Sequence, residues 1–360
     1  MLRQLKLFIP LCLVVAFVLI STLIVAKKSA SSRLPASQMS TAMSPLDLSA
    51  LTNDADLIAV GSVQTVWEDD STTMNIQNRS VPARQMVALL NVKSILKGQA
   101  ESSTSLTFKF LVPEAPIGYR GIPTNQVRIF FLRETSPQEY SILNPYYPFI
   151  VACEDATPAG GGALDKVVAN LAHLLTTPVA SLDSRMEAIR VLSSVKTEAS
   201  TSALLQGAQE QDTSLRLEAA AALLRRNDIS TLDMVAKSLI EPSSDINESV
   251  REDVVSALDR VKDPRAIPAL AHLLAAGDVQ TRRSAAAALR HTGSPEATGA
   301  LARALDDSDQ QVRYSAVTGL AEITGETQGM PSIEVFTNNE SPYLAHWHGR
   351  VSKLALRPQP

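Results

Sequence analysis

An arginine recurs through the second half of the chain, each time with a leucine seven residues behind it. The pairs are Arg185/Leu192, Arg216/Leu223, Arg251/Leu258, Arg282/Leu289 and Arg313/Leu320, and the arginines are 31, 35, 31 and 31 residues apart. A period in this range marks a solenoid, in which each repeat is a pair of helices stacked on its neighbours. Counted from the arginine, position −1 is Leu215, Val250 or Val312 in three units. Position +3 is Ala188, Ala219, Val254, Ala285 or Ala316, and position +7 is always leucine. Residues at −1, +3 and +7 share one helix face. Position −4 holds Ser181, Asp212, Asn247, Asp278 or Asp309, all residues whose short side-chain oxygen can accept from the free amides of a first helical turn. Cap and apolar face therefore agree on one register.

The helix before each of these is also legible. Asp263-Pro264 and Ser294-Pro295 are cap-proline starts, and Ile267, Leu270, Leu273 and Leu274 form an apolar stripe closed by Gly277. The first unit begins near Leu164. The segments GDVQTRRSAAAALRHTGSPEA and DDSDQQVRYSAVTGLAEITG resemble HEAT repeats of the phycobilisome-lyase type, over about 164–327. The resemblance implies an all-α solenoid of five helix pairs whose arginines join a structural Asp–Arg ladder between units.

Residues 7–26 carry no charge. At a rise of about 1.5 Å per residue, twenty helical residues cross a hydrocarbon core of about 30 Å. A cleavable signal needs small residues at the cleavage site, but Ile24 and Lys28 hold the −3 position for cuts after Ala26 and Ala30. Pro10-Leu11 before Cys12 is a poor lipidation signal. We read residues 1–28 as a signal anchor with one transmembrane helix, a cleaved secreted form being the alternative. The short tail before the span favours placing the bulk of the chain on the periplasmic or other extracytoplasmic side, although basic residues flank both ends of the span. Residues 29–45 are small and polar and read as a flexible tether.

From 46 to 155 the texture turns to β. Leu57–Val66, Met86–Leu96, Ser105–Leu111, Val127–Leu132 and Tyr140–Leu143 are five short apolar or alternating runs separated by turn residues. Such runs suit a small barrel or sandwich. The order ADLIAVGSV, LNVKSILKG, VRIFFLRE, YSILNPYY resembles the netrin/TIMP-like (NTR-like) modules of exported proteins, which implies an all-β, OB-like small barrel. The protease-inhibiting cysteine of the animal members has no counterpart here, so inhibition is not implied. Asn144-Pro145-Tyr146-Tyr147-Pro148 could be an aromatic ligand patch or packing beneath the closing turn. Residues 156–163, with Gly160-Gly161-Gly162, read as a hinge, and 328–360 as a C-terminal cap over the open end of the stack.

Chemistry is scarce. No zinc-protease, nucleophile-elbow, phosphate-loop or Cys-x-x-Cys pattern occurs. His346 and His348 would point about 200° apart on a helix, which disfavours a shared metal. Asp306-Asp307-Ser308-Asp309 lacks the spaced ligands of a calcium loop. Cys12 and Cys153 form no disulfide framework. Residues 161–360 hold 20 Lys+Arg against 25 Asp+Glu, and the net charge of the whole chain is −4, so nucleic acid is not an expected partner. We expect no cofactor and no metal.

The expected function is a non-catalytic, membrane-tethered scaffold that binds a partner protein. The expected surface follows second-helix positions +1, +5 and +8, chiefly Met186, Arg190, Leu217, Glu252, Asp259, Arg283, Arg290 and Tyr314. Two alternatives stay open. One is a small-ligand or lyase-like accessory, implied by the bilin lyases that give the repeat type its name. The other is a passive envelope element.

Overall fold

The computed structural model describes residues 46–76, 79–100, 104–114, 121–156, 160–241, 246–327 and 330–355. The expected anchor and tether lie outside these residues, and no described helix is long and apolar enough to cross a membrane.

A short helix, α1 (Leu48–Asp54), opens the described chain. The Asp47 carboxylate accepts from the amide of Ala50 at its start, and Lys97 Nζ donates to the carbonyls of Thr52 (2.9 Å) and Asn53 (2.8 Å) at its end. A cation there meets the negative end of the helix dipole. Six strands follow: β1 (Leu57–Ile76), β2 (Arg79–Lys97), β3 (Ser105–Pro113), β4 (Val127–Ser136), β5 (Glu139–Ile142) and β6 (Phe149–Val151). β1 pairs with β2, β2 with β3, β3 with β5 and β5 with β4, and β4 returns to β1, so the pairings form a ring. The β3–β5 pairing is parallel, and β6 adds to β4 in antiparallel fashion.

Strand alternation accounts for the uninterrupted apolar runs. Leu57, Ala59, Val63, Phe130 and Leu132 line one core together with Phe108 and Phe110. Ile58, Val60, Ile129 and Phe131 point the other way, into a second core shared with α1 and the helical region. Successive side chains of a strand face opposite sides, so both faces of β1 and β4 are buried here. At Gly61 the backbone of β2 comes so close that a Cβ would lie 2.3 Å from the Asn91 carbonyl oxygen.

The sheet exceeds the expected five runs. β1 and β2 continue as a long hairpin through Ile76 and Arg79, in which Thr72 faces Ala83 and Met74 faces Val81. Its sequence, WEDDSTTMNI followed by RSVPAR, is polar because it lies largely outside the cores. Helix α1 and the three-residue β6 are too short to leave a periodic signal.

The helical region stacks five pairs: α2 (Ala163–Thr176) with α3 (Leu182–Ser193), α4 (Glu198–Gly207) with α5 (Thr213–Leu224), α6 (Leu232–Ile240) with α7 (Glu248–Leu258), α8 (Ile267–Leu273) with α9 (Val279–His291), and α10 (Thr298–Ala304) with α11 (Gln310–Thr324). One turn of 3-10 helix precedes α8 at Pro264–Ala266 and α10 at Pro295–Ala297. Helices α12 (Ile333–Asn338) and α13 (Ser341–Ala355) follow, and Phe336 and Trp347 are buried against the last unit. At Gly319 of α11 a Cβ would lie 2.9 Å from Leu301 and 3.1 Å from the Arg290 Cβ, so three helices meet over a bare backbone.

The sheet and the stack are joined by more than the chain. Asn170, on the buried face of α2, accepts from the Cys153 amide (2.8 Å) and donates to the Cys153 carbonyl (3.0 Å). The surrounding core runs from Leu48 and Leu51 through Ile150 and Val151 to Val167, Leu171 and Leu174. The glycine run expected as a hinge supplies the start of α2: Gly161 has φ +106°, and the Gly162 amide donates to Asp165 Oδ2. The core continues past it. Tyr146 and Tyr147 donate their amides to Asn144 Oδ1, and both rings are partly buried, Tyr146 against the hairpin and Tyr147 against the shared core.

Candidate interaction surface

Each second helix begins on a side-chain cap. Ser181 accepts from the Ser184 amide, Asp212 from Leu215, Asn247 from Ser249, Asp278 from Thr281, and Asp309 from Gln311 and Val312. Among the described residues Arg185, Arg282 and Arg313 each make two kinds of contact, backward and forward, and Arg216 and Arg251 make one of these kinds each. Backward, the arginine holds carbonyls of the preceding turn: Arg185 that of Leu175, Arg216 those of Glu210 and Gln211, Arg282 those of Ala276 and Gly277, and Arg313 that of Asp307. Forward, it reaches a carboxylate of the next unit or the cap: Arg185 to Glu210 (2.7 Å), Arg251 to Asp278 (3.0 Å), Arg282 to Asp307 (2.9 Å) and Arg313 to Glu340 (2.6 Å). Arg216 finds no carboxylate among the described residues; its third bond goes to Thr213 Oγ1. This is the rung that precedes the 35-residue spacing.

The stripe at +1, +5 and +8 is the main correction. Met186 and Leu217 are buried, and so are Ala221, Leu224, Thr318 and Ala321. Arg283 makes a two-pronged ion pair with Asp309, the N-cap of α11, and Arg290 one with Glu322 on α11. Arg190 is exposed but directed at Glu218 on α5 (3.5 Å). Tyr314 stacks on Phe336 of the cap at a centroid distance of 5.3 Å. Second helices pack on second helices as well as on their own first helices, so this stripe is an inter-unit contact in most of the stack. Only α7 leaves it open, with Glu252, Ser256 and Asp259 all exposed.

Protonation follows the pairing. The Arg283 guanidinium, with smaller help from the amides of Val312 and Gln311, outweighs burial and holds Asp309 down at about 2. Burial works against ionised Asp278, but bonds from Thr281 and the charge of Arg251 prevail and lower it. Glu322 raises Arg290, mainly through their hydrogen bonds.

Three contacts had weak or no signal in the repeat pattern. Asn170 is visible only as an amide on an apolar face. Arg226 donates to the carbonyls of Leu192 and Val195 (both 2.5 Å), closing the end of α3 from the next unit. Glu218 sits inside the run LEAAAALL and is itself buried. On α13, His346 lies 3.5 Å from Glu326 and His348 3.4 Å from Asp306, on either side of buried Trp347. Among the described residues no three His, Cys, Asp or Glu side chains are placed to hold a metal ion.

A family model of HEAT repeats matches residues 201–290 and 271–334, so this part of the stack carries HEAT repeats. Comparison with curated proteins returns no match. Among solved structures, one engineered protein aligns at 20% identity and a TM-score of 0.33, covering 46% of this chain and 85% of its own. A second engineered protein aligns at 18% identity and 0.32, covering 55% and 65%. Human deoxyhypusine hydroxylase in complex with glycerol aligns at 16% identity and 0.24, covering 52% and 76%. These likenesses are loose, and the family match alone speaks for the type of repeat.

Proposed function

We propose that this chain is a membrane-tethered scaffold, exported and held by residues 7–26, whose HEAT stack binds a protein partner. HEAT repeats generally mediate protein interactions, and a stack of units presents an extended surface. Among the described second helices, α7 is the one on which the +1, +5, +8 stripe lies open. Glu252, Ser256 and Asp259 are exposed there, while the corresponding residues of the other units are largely buried or paired. Glu252 and Asp259 have no ion-pair partner among the described residues, and two exposed carboxylates favour a partner with a basic contact patch. The ring order β1-β2-β3-β5-β4, closing on β1, supports reading the sheet domain as an OB-like, NTR-type barrel that holds the stack at a set attitude.

Crosslinking of the full-length chain in native membranes tests this. Replacing Glu252 and Asp259 together by lysine should lose the captured protein with little change in melting temperature, because both side chains are exposed. Capture at the wild-type level by that variant would remove α7 as the binding site.

A further inference from the structure

Glu218 is the one glutamate in the described stack that is almost fully buried, at 2% exposure. It lies on α5 among Leu217, Ala219, Ala221 and Ala222, all buried. Its Oε1 faces Arg190 of α3 at 3.5 Å, long for a hydrogen bond, and its Oε2 is buried with no hydrogen-bond partner among the described residues. An ionised carboxylate with an unmet oxygen in such a place is costly, whereas a carboxylic acid is tolerated.

The charges around it are few. From α3 comes Arg190, whose side chain is 59% exposed, and from α7 comes Asp253, itself paired with Arg225 of α5 at 3.4 Å. Glu198 on α4, and Asp233 and Lys237 on α6, are exposed. Burial raises the Glu218 carboxyl above the usual glutamate range, Asp253 adds to the rise, and Arg190 and Arg225 oppose it without cancelling it. The same junction includes the ladder rung without a described carboxylate and the four-residue lengthening of the repeat.

We propose that Glu218 makes the contact between the first three units proton-sensitive: uptake of one proton tightens it, and release of that proton loosens it. The sign follows from linkage. A carboxyl that holds its proton more firmly in the folded state contributes stability that is full below its unfolded value and fades as pH rises through the folded one. The mildly acidic side is therefore the tight state. Fading of this contribution loosens α3, α5 and α7 against one another and leaves the ladder of α9 and α11 untouched.

Hydrogen exchange on the full-length protein, corrected for intrinsic exchange rates, reads this directly. Between about pH 4, below the usual glutamate range, and about pH 7.5, wild-type amides of α3, α5 and α7 should lose protection, by up to about tenfold for each unit by which the folded carboxyl is raised. Glu218→Gln should hold the protected level at both values. Asp253→Asn should move the midpoint to lower pH, and Arg190→Gln should move it to higher pH. Equal protection in the wild type at both values, or a transition that survives Glu218→Gln, would overturn the proposal. Should Glu218→Gln not fold, the opposed midpoint shifts of the other two variants decide the matter, and midpoints that do not move overturn it.

Discussion

In the sheet domain β1 and β4 bury both faces, whereas in the stack α5 is buried around almost its whole circumference and its neighbour α7 keeps one stripe open. The two regions reach close packing by different routes. The ring needs residues far apart in sequence, Leu57 with Leu132 and Phe108 with Tyr140, and has no sub-unit that closes alone. The stack needs only neighbours, because each arginine, cap and carboxylate acts within one repeat or the next. Damage to the ring should therefore spread, and damage to a rung should stay local.

The sharpest way to break this contrast is at Phe130, which packs on Phe108 at 5.3 Å and Phe149 at 6.0 Å inside the ring. Phe130→Ala should cost about 3–5 kcal/mol, and thermal unfolding followed by circular dichroism should show the whole sheet signal lost in one step. Next comes the seam. Asn170→Ala strands the Cys153 amide and carbonyl, at about 1–3 kcal/mol for a buried unmet group, and urea unfolding should then separate into two transitions. Smallest is the ladder. Arg282→Ala removes a carboxylate pair together with two carbonyl contacts and should cost about 1–3 kcal/mol. Arg216→Ala, which removes only bonds to uncharged acceptors among the described residues, should cost less in the same melting assay. Equal costs for the two arginines would deny the forward rungs any role.

The repeat was legible because one helix face recurs with one cap. Arg185 to Arg313 and Ser181 to Asp309 are anchored by near-sequence geometry, which a period displays. Most of the second-helix stripe is covered, and a period shows that a face repeats but does not show what lies against it. Met186 and Leu217 are buried and Tyr314 lies against Phe336 of the cap, and such burial depends on how units pack on one another. Arg283 and Arg290 looked free as a basic pair, but their partners Asp309 and Glu322 lie 26 and 32 residues away. The apolar strands were readable as strands. Their burial on both faces was not, because the second face exists only where the stack docks. Asn170 left a faint mark, an amide among Val167, Val168 and Leu171.

The sheet domain and the first helix pair share one core and form one body. Native-state hydrogen exchange of the full-length protein in low urea measures it most directly. Amides of β4 and α2 should exchange with a common opening free energy in the wild type and separate in Asn170→Ala. Exchange of α2 with α4, independent of β4 in both proteins, would contradict the single body.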